Sequence, residues 1–126
     1  MGNACRKDFS KTKEKIQTCG IPQIYKEKLI FDLERIEHSG VKGLRRIILF
    51  GSCARDQIRV GSDIDLLLVT DERLEQGIRG ELASELAEER RGIPTDVVFY
   101  TEEEFQRAES LFVKQIKLEG RVLWEA

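Results

Sequence analysis

The sequence has 126 residues, which suits one compact domain and leaves little room for a second. Hydrophobic residues make up 40% of it and charged residues 35%, and its apolar runs are too short to cross a membrane. The net charge of −2 argues against direct nucleic-acid binding, because proteins that grip phosphate backbones carry an excess of basic residues. A small anionic ligand held by metal ions remains compatible with this balance.

The N-terminal segment over residues 1–20 is polar and lysine-rich, with weak periodicity. We interpret it as a tail or a poorly anchored helix that precedes one domain over residues 21–126. The N-terminus has no apolar signal-peptide core. The three cysteines are an odd number and fit no zinc-binding spacing, which is typical of reduced thiols. We therefore expect a cytoplasmic protein.

The first half of the domain predicts a helix, a strand and a second strand. Pro22 is typical of a first helical turn, and Gly40 and Gly43 mark the end of that helix. Its apolar spacing predicts a buried face at Ile24, Leu29, Ile30, Leu33 and Ile36. Residues 44–50 and 64–70 are apolar runs that predict strands. Between them, residues 52–58 are consistent with a short helix that opens directly after Gly51.

The second half alternates helix and strand. Residues 74–91 predict a helix that Gly92 and Pro94 end, and residues 95–100 predict a third strand. Thr101 and Glu104 form a capping-box pattern that opens a last helix. The predicted apolar face of that helix is Phe105, Ala108, Leu111, Phe112 and Ile116. Residues 122–124 are a short final strand or a packing tail. The order predicts an α/β (α+β) fold, a small mixed β-sheet with helices packed on it.

Gly51 and Ser52 are candidates for a phosphate site. They stand where a strand ends and a helix could begin, and the first N–H groups of a helix have no partner within it. Glycine also lets the backbone approach a ligand closely, because it has no Cβ. An ordinary turn with a serine N-cap would look the same, so this pair is weak evidence by itself.

Asp63, Asp65 and Asp96 are candidates for a metal site. Residues i and i+2 of a strand point to the same face, so the first two carboxylates stand side by side. Like charges this close are costly unless a cation lies between them, and Mg²⁺ prefers oxygen ligands. Asp96 opens the third predicted strand and can reach the same ion if that strand is a neighbour. Taken singly, each aspartate also fits a solvated strand end.

Together these residues resemble one family. Gly-Ser-x-Ala-Arg at 51–55, Ser-Asp-Ile-Asp-Leu at 62–66 and the later Asp96 resemble the DNA polymerase β-type nucleotidyltransferase superfamily. They are similar to its minimal nucleotidyltransferase (MNT) branch, which includes MntA-type antitoxins. The resemblance runs from about residue 44 to residue 100. Asp56 departs from it, because relatives often have glycine there.

The resemblance implies a nucleotidyltransferase fold and a set of site residues. Two Mg²⁺ ions would be held by the catalytic residues Asp63, Asp65 and Asp96, with ATP as the substrate. The nucleotide-binding residues would be Gly51, Ser52, Arg55 and Ser62. No motif in the sequence reads the base, so ATP and other nucleoside triphosphates remain open.

The resemblance also implies a partner. MNT antitoxins transfer AMP to a tyrosine of a helical HEPN-family toxin, and we expect this activity and this partner. Two alternatives stay open: a module that binds nucleotide and neutralises a HEPN-like partner by contact alone, or a small-molecule nucleotidyltransferase of the aminoglycoside type assembled as a homo-oligomer.

Overall fold

The protein is built on a four-stranded mixed sheet with helices on both faces. The computed structural model describes residues 8–55, 57–59 and 61–126. In chain order the elements are α1 (Ser10–Thr18), α2 (Gln23–Glu37), β1 (Leu44–Phe50), a 3₁₀ turn (Gly51–Cys53), β2 (Ile64–Thr70), α3 (Gln76–Ala87), β3 (Thr95–Thr101), α4 (Glu102–Arg107), α5 (Leu111–Glu119) and β4 (Arg121–Glu125). The strand order is β3-β2-β1-β4; β2 and β3 are parallel, and the other neighbours are antiparallel. The predicted fold class is confirmed.

Strand alternation divides the core into two layers, because successive side chains point to opposite faces. Leu66 and Leu68 of β2 pack with residues of α1, α2 and α3 on one face of the sheet. Leu67 and Val69 pack with residues of α4 and α5 on the other. Asp65 shares the parity of the second pair and therefore lies on the α4–α5 face.

The segment expected to be a tail or a poorly anchored helix contains a helix that is well anchored, which corrects that expectation over residues 10–18. Phe9 is 1% exposed, and its ring meets Trp124 of β4 edge-on with 5.3 Å between centroids. Thr12 Oγ1 donates a hydrogen bond of 2.6 Å to the Leu123 carbonyl. These contacts are non-local, so the weak local periodicity did not indicate them. The predicted tail over residues 1–7 lies outside the described residues.

The buried face of α2 is more polar than predicted. Its buried residues are Tyr25, Lys28, Leu29, Asp32, Leu33 and Ile36. Ile24, which the apolar spacing placed there, is 36% exposed, and Ile30 is half-buried. The helix is rotated from the apolar stripe toward Lys28 and Asp32, because their charges satisfy each other within the core.

The predicted last helix is two helices. The capping box is present, with Glu104 N donating to Thr101 Oγ1 at 3.0 Å and Thr101 N to Glu104 Oε1 at 2.9 Å. Ser110 then caps α5 by accepting from Val113 N at 3.2 Å. The break changes the helical register, so Leu111 (83% exposed) and Phe112 (44% exposed) are not core residues.

Two smaller differences concern the other helices. The short helix expected after Gly51 is a single 3₁₀ turn, and Asp56 lies outside the described residues. α3 ends at Ala87, four residues before the predicted limit. Among the helices of the described ranges, none combines the length and the apolar character that crossing a membrane requires.

Candidate functional site

Two of the predicted acidic residues lie side by side where β2 and β3 begin. Asp65 and Asp96 are partners in the parallel register of these strands, so both side chains stand on the α4–α5 face. Ile64 N donates to the Pro94 carbonyl at 3.1 Å, which fixes the start of β3 against β2. Asp63 is exposed in the loop that leads into β2.

The charges of these carboxylates are coupled. Burial, followed by the negative charges of Asp96 and Asp63, raises the pKa of Asp65 to about 6, and the charge of Arg55 opposes this rise. The site thus carries an excess of negative charge, and hard oxygen donors of this kind fit Mg²⁺. Within the described ranges, no three His, Cys, Asp or Glu side chains are close enough together to hold a metal ion as they stand. The sheet brings Asp65 and Asp96 together as a pair. Asp63 lies beside this pair, in the exposed loop before β2.

Gly51 lies against the Asp65 carboxylate. Its φ of +75° is a conformation that favours glycine, and Phe50 before it pairs with Asp65 across β1 and β2. A Cβ at Gly51 would overlap the Asp65 Oδ2 atom and lie 3.2 Å from its Cγ. The absence of a Cβ at Gly51 therefore lets the Asp65 carboxylate approach the backbone closely. The following 3₁₀ turn leaves its first N–H groups without partners inside the turn, as a phosphate site requires.

The other two predicted nucleotide-binding residues, Arg55 and Ser62, contact different parts of the chain. Arg55 Nη1 lies 3.6 Å from Glu119 Oε1 of α5, while its charge acts on Asp65. A cleft of about 180 Å³ lies between Gly51, Arg55 and one side of α5. Ser62 Oγ accepts a hydrogen bond of 2.9 Å from Arg59 N, so its hydroxyl closes the turn before Asp63. Its predicted contact with nucleotide stays a prediction.

The comparison with known families settles the class of this fold. The family model described as polymerase beta nucleotidyltransferase matches residues 34–126. The chain belongs to this family. No curated protein sequence gives a significant match to this nucleotidyltransferase.

Solved structures similar to this nucleotidyltransferase include components of toxin–antitoxin pairs. One, solved as a toxin–antitoxin with AMP-PNP, is 27% identical with a TM-score of 0.54 over 79% of this chain and 73% of that one. A variant of the MntA-HpeT toxin–antitoxin is also 27% identical, with a TM-score of 0.54 over 82% and 75%. A Shewanella oneidensis protein, 22% identical with a TM-score of 0.50 over 79% and 70%, shares the fold.

The sequence did not reveal the buried polar groups of α2, on the face of the sheet opposite the acidic residues of this nucleotidyltransferase. Tyr25 of α2 donates through its hydroxyl to the Ser62 carbonyl at 2.8 Å. Lys28 and Asp32, both fully buried, bond the Thr95 hydroxyl. The signal was present as three polar residues at helical spacing i, i+3 and i+7, but it was masked by the stronger apolar pattern of the same helix.

A buried thiol also supports the acidic loop. Cys53 Sγ donates to the Asp63 carbonyl at 3.6 Å, and burial, followed by the charges of Asp65 and Asp63, raises its pKa to about 11. The thiol is therefore protonated near neutral pH, which makes it a hydrogen-bond donor and not a nucleophile.

Proposed function

We propose that this nucleotidyltransferase binds ATP and two Mg²⁺ ions at Asp63, Asp65 and Asp96 and transfers AMP to a hydroxyl of a partner protein. The observation that carries the proposal is the pairing of Asp65 with Asp96 beside Gly51. The donor set fits the metal, because burial and the charges of the neighbouring carboxylates raise the pKa of Asp65, and a divalent cation would stabilise these carboxylates. When bound, two such ions would stabilise the attacking and leaving oxygens at phosphorus.

The chain's own residues supply positioning and charge. The Gly51–Cys53 turn and the Arg55 guanidinium adjoin Asp65, and their N–H groups would hold the triphosphate, with Ser52 adding a hydroxyl. The exposed carboxylate of Asp96 is accessible to an acceptor and would take the proton of the attacking hydroxyl. Such a site works mainly by orientation and electrostatic stabilisation.

The proposed acceptor is a HEPN-type toxin, for which this protein would be the cytoplasmic antitoxin. Support comes from the similar structure solved as a toxin–antitoxin with AMP-PNP, which is an analogue of ATP. The second similar structure is also from a toxin–antitoxin pair. Both are 27% identical to this chain, which makes transfer of AMP to a partner protein the activity to test first.

The test is the transfer of label from ATP to the product of a neighbouring toxin-like gene in the presence of Mg²⁺. We expect label from the α-phosphate, none from the γ-phosphate, and loss of transfer in Asp63→Asn and Asp65→Asn. Asp71→Asn is the matched control, because this exposed carboxylate lies just beyond the far end of β2. Equal labelling by Asp65→Asn would contradict the proposal. A double Asp63→Asn/Asp65→Asn variant that still neutralises the partner would favour neutralisation by contact alone.

A further inference from the structure

We propose that a polar stripe on α2, formed by Tyr25, Lys28 and Asp32, positions the metal-binding carboxylates from the opposite face of the sheet. The inference rests on the proposed function of Asp63 and Asp96. All three stripe residues are buried and precede residue 34, where the match to the family model begins. They are positioning residues, since they act through the chain segments that carry the carboxylates.

The first contact is with the residue before Asp96. Lys28 Nζ donates to Asp32 Oδ1 at 2.5 Å, to the Leu86 carbonyl of α3 at 2.9 Å and to Thr95 Oγ1 at 2.8 Å. Thr95 Oγ1 in turn donates to Asp32 Oδ2 at 2.5 Å. The ammonium group thus uses its three donors, and the network is closed inside the core.

This contact fixes the direction of Asp96. Thr95 is the first residue of β3, and its side chain is held on the α2 face, so the next side chain must point to the α4–α5 face. The first residue of an edge strand would otherwise be free to fray. Holding Thr95 by its side chain, together with the bond from Ile64 N to the Pro94 carbonyl, therefore keeps Asp96 level with Asp65.

The second contact is with the residue before Asp63. The Tyr25 hydroxyl donates to the Ser62 carbonyl at 2.8 Å, so the loop entering β2 is tied to the same helix. Tyr25 and Lys28 are one helical turn apart, and Asp32 is one further turn along. One rigid helix therefore sets the distance between the two acidic segments.

The choice of charged residues supports a positioning role over a purely stabilising one. A buried ion pair is often no more stabilising than apolar residues of similar size, because both charges must leave water. Lys28 and Asp32 are both fully buried, and burial raises the pKa of Asp32 to about 6 despite the adjacent ammonium. What they provide beyond apolar packing is a directional hold on Thr95.

The test measures the Mn²⁺ affinity of Thr95→Val and of the matched control Thr70→Val by electron paramagnetic resonance. Thr70 is also buried in the sheet, and its hydroxyl donates to the Glu72 carbonyl at 2.7 Å, at the opposite end of β2. Thr70→Val loses one hydrogen bond of a buried hydroxyl, whereas Thr95→Val loses two, one with Lys28 and one with Asp32, so the larger loss of Tm is expected in Thr95→Val. Only Thr95→Val should weaken Mn²⁺ binding, by about 10–100-fold. Thr95→Ser should restore it, and Tyr25→Phe should weaken it in a fold of unchanged secondary structure.

The outcomes separate the two proposals. Equal Mn²⁺ affinity in Thr95→Val and Thr70→Val would overturn the positioning role alone. Weakening in both variants in proportion to their loss of Tm would also overturn it, because a general loss of stability would then explain the effect. A wild-type protein that binds no Mn²⁺ would overturn the proposed function and this inference with it.

Discussion

Replacing Gly51 by alanine should damage the site far more than it damages the fold. At φ +75° a Cβ costs about 1–2 kcal/mol, which lowers Tm by about 4–8 °C in a domain of this size. The new methyl group would also overlap Oδ2 of Asp65, and relieving that overlap requires a shift of about 1 Å by the end of a flexible side chain. A shift of that size in a metal-binding carboxylate reduces kcat/KM about 100-fold, or about 2.7 kcal/mol.

Gly92→Ala provides the matched control for this prediction. Gly92 has a φ of +79°, and nothing lies within 4 Å of the position that its Cβ would occupy. The two variants therefore share the backbone strain but not the contact with Asp65. Thermal unfolding and the rate of AMP transfer should be measured on both. Wild-type kcat/KM in Gly51→Ala, or an equal loss in Gly92→Ala, would refute the reasoning.

Three further predictions follow from the packing and the charges. Because the pKa of Asp65 is raised in the folded protein, the metal-free fold loses stability as pH rises from about 4 through about 6. Asp65→Asn should therefore increase the free energy of unfolding at pH 8 by about 1 kcal/mol after solvent screening, which raises Tm, and it should abolish Mn²⁺ binding. An unchanged Tm would contradict this. Lys28→Met should cost about 3–5 kcal/mol in denaturant unfolding by leaving Asp32 buried without its partner, and the double variant Lys28→Met/Asp32→Leu should recover most of it. Thr101→Ala should lose about 1 kcal/mol with its capping box and leave Mn²⁺ affinity unchanged, as titration would show.

Local patterns predicted the strands well. The bounds of β1 and β2 match the apolar runs at 44–50 and 64–70, because Gly51 and the turn at Gly61 interrupt those runs sharply. The helical break at Ser110 was not predicted, since the apolar spacing continues across it and only the backbone shows that Ser110 caps a new helix. Anchoring of α1 was missed because its contacts are made with β4, at the other end of the chain.

The sequence predicted part of the geometry of the candidate site but not the buried residues of α2 that contact the chain next to it. Strand alternation predicted that Asp63 and Asp65 stand side by side on one strand, but β2 begins only at Ile64, so Asp63 lies in the loop before it. The meeting of Asp65 with Asp96 depends on β2 and β3 being neighbours, which no local pattern encodes. Lys28 and Asp32 were missed because a charged pair inside an amphipathic helix resembles a solvated face until its partner Thr95 is known.

The parallel register of β2 and β3 disfavours misaligned pairing of these strands during folding. A slip of one residue between these strands would turn the carboxylate of Asp96 into the apolar layer beneath α2 and expose Val97 in its place. An unpaired buried charge costs several kcal/mol, so the misaligned chain is strongly disfavoured. The acidic residue that the proposed chemistry requires thereby also favours the correctly assembled sheet, and a chain that reaches the native alignment has Asp96 beside Asp65.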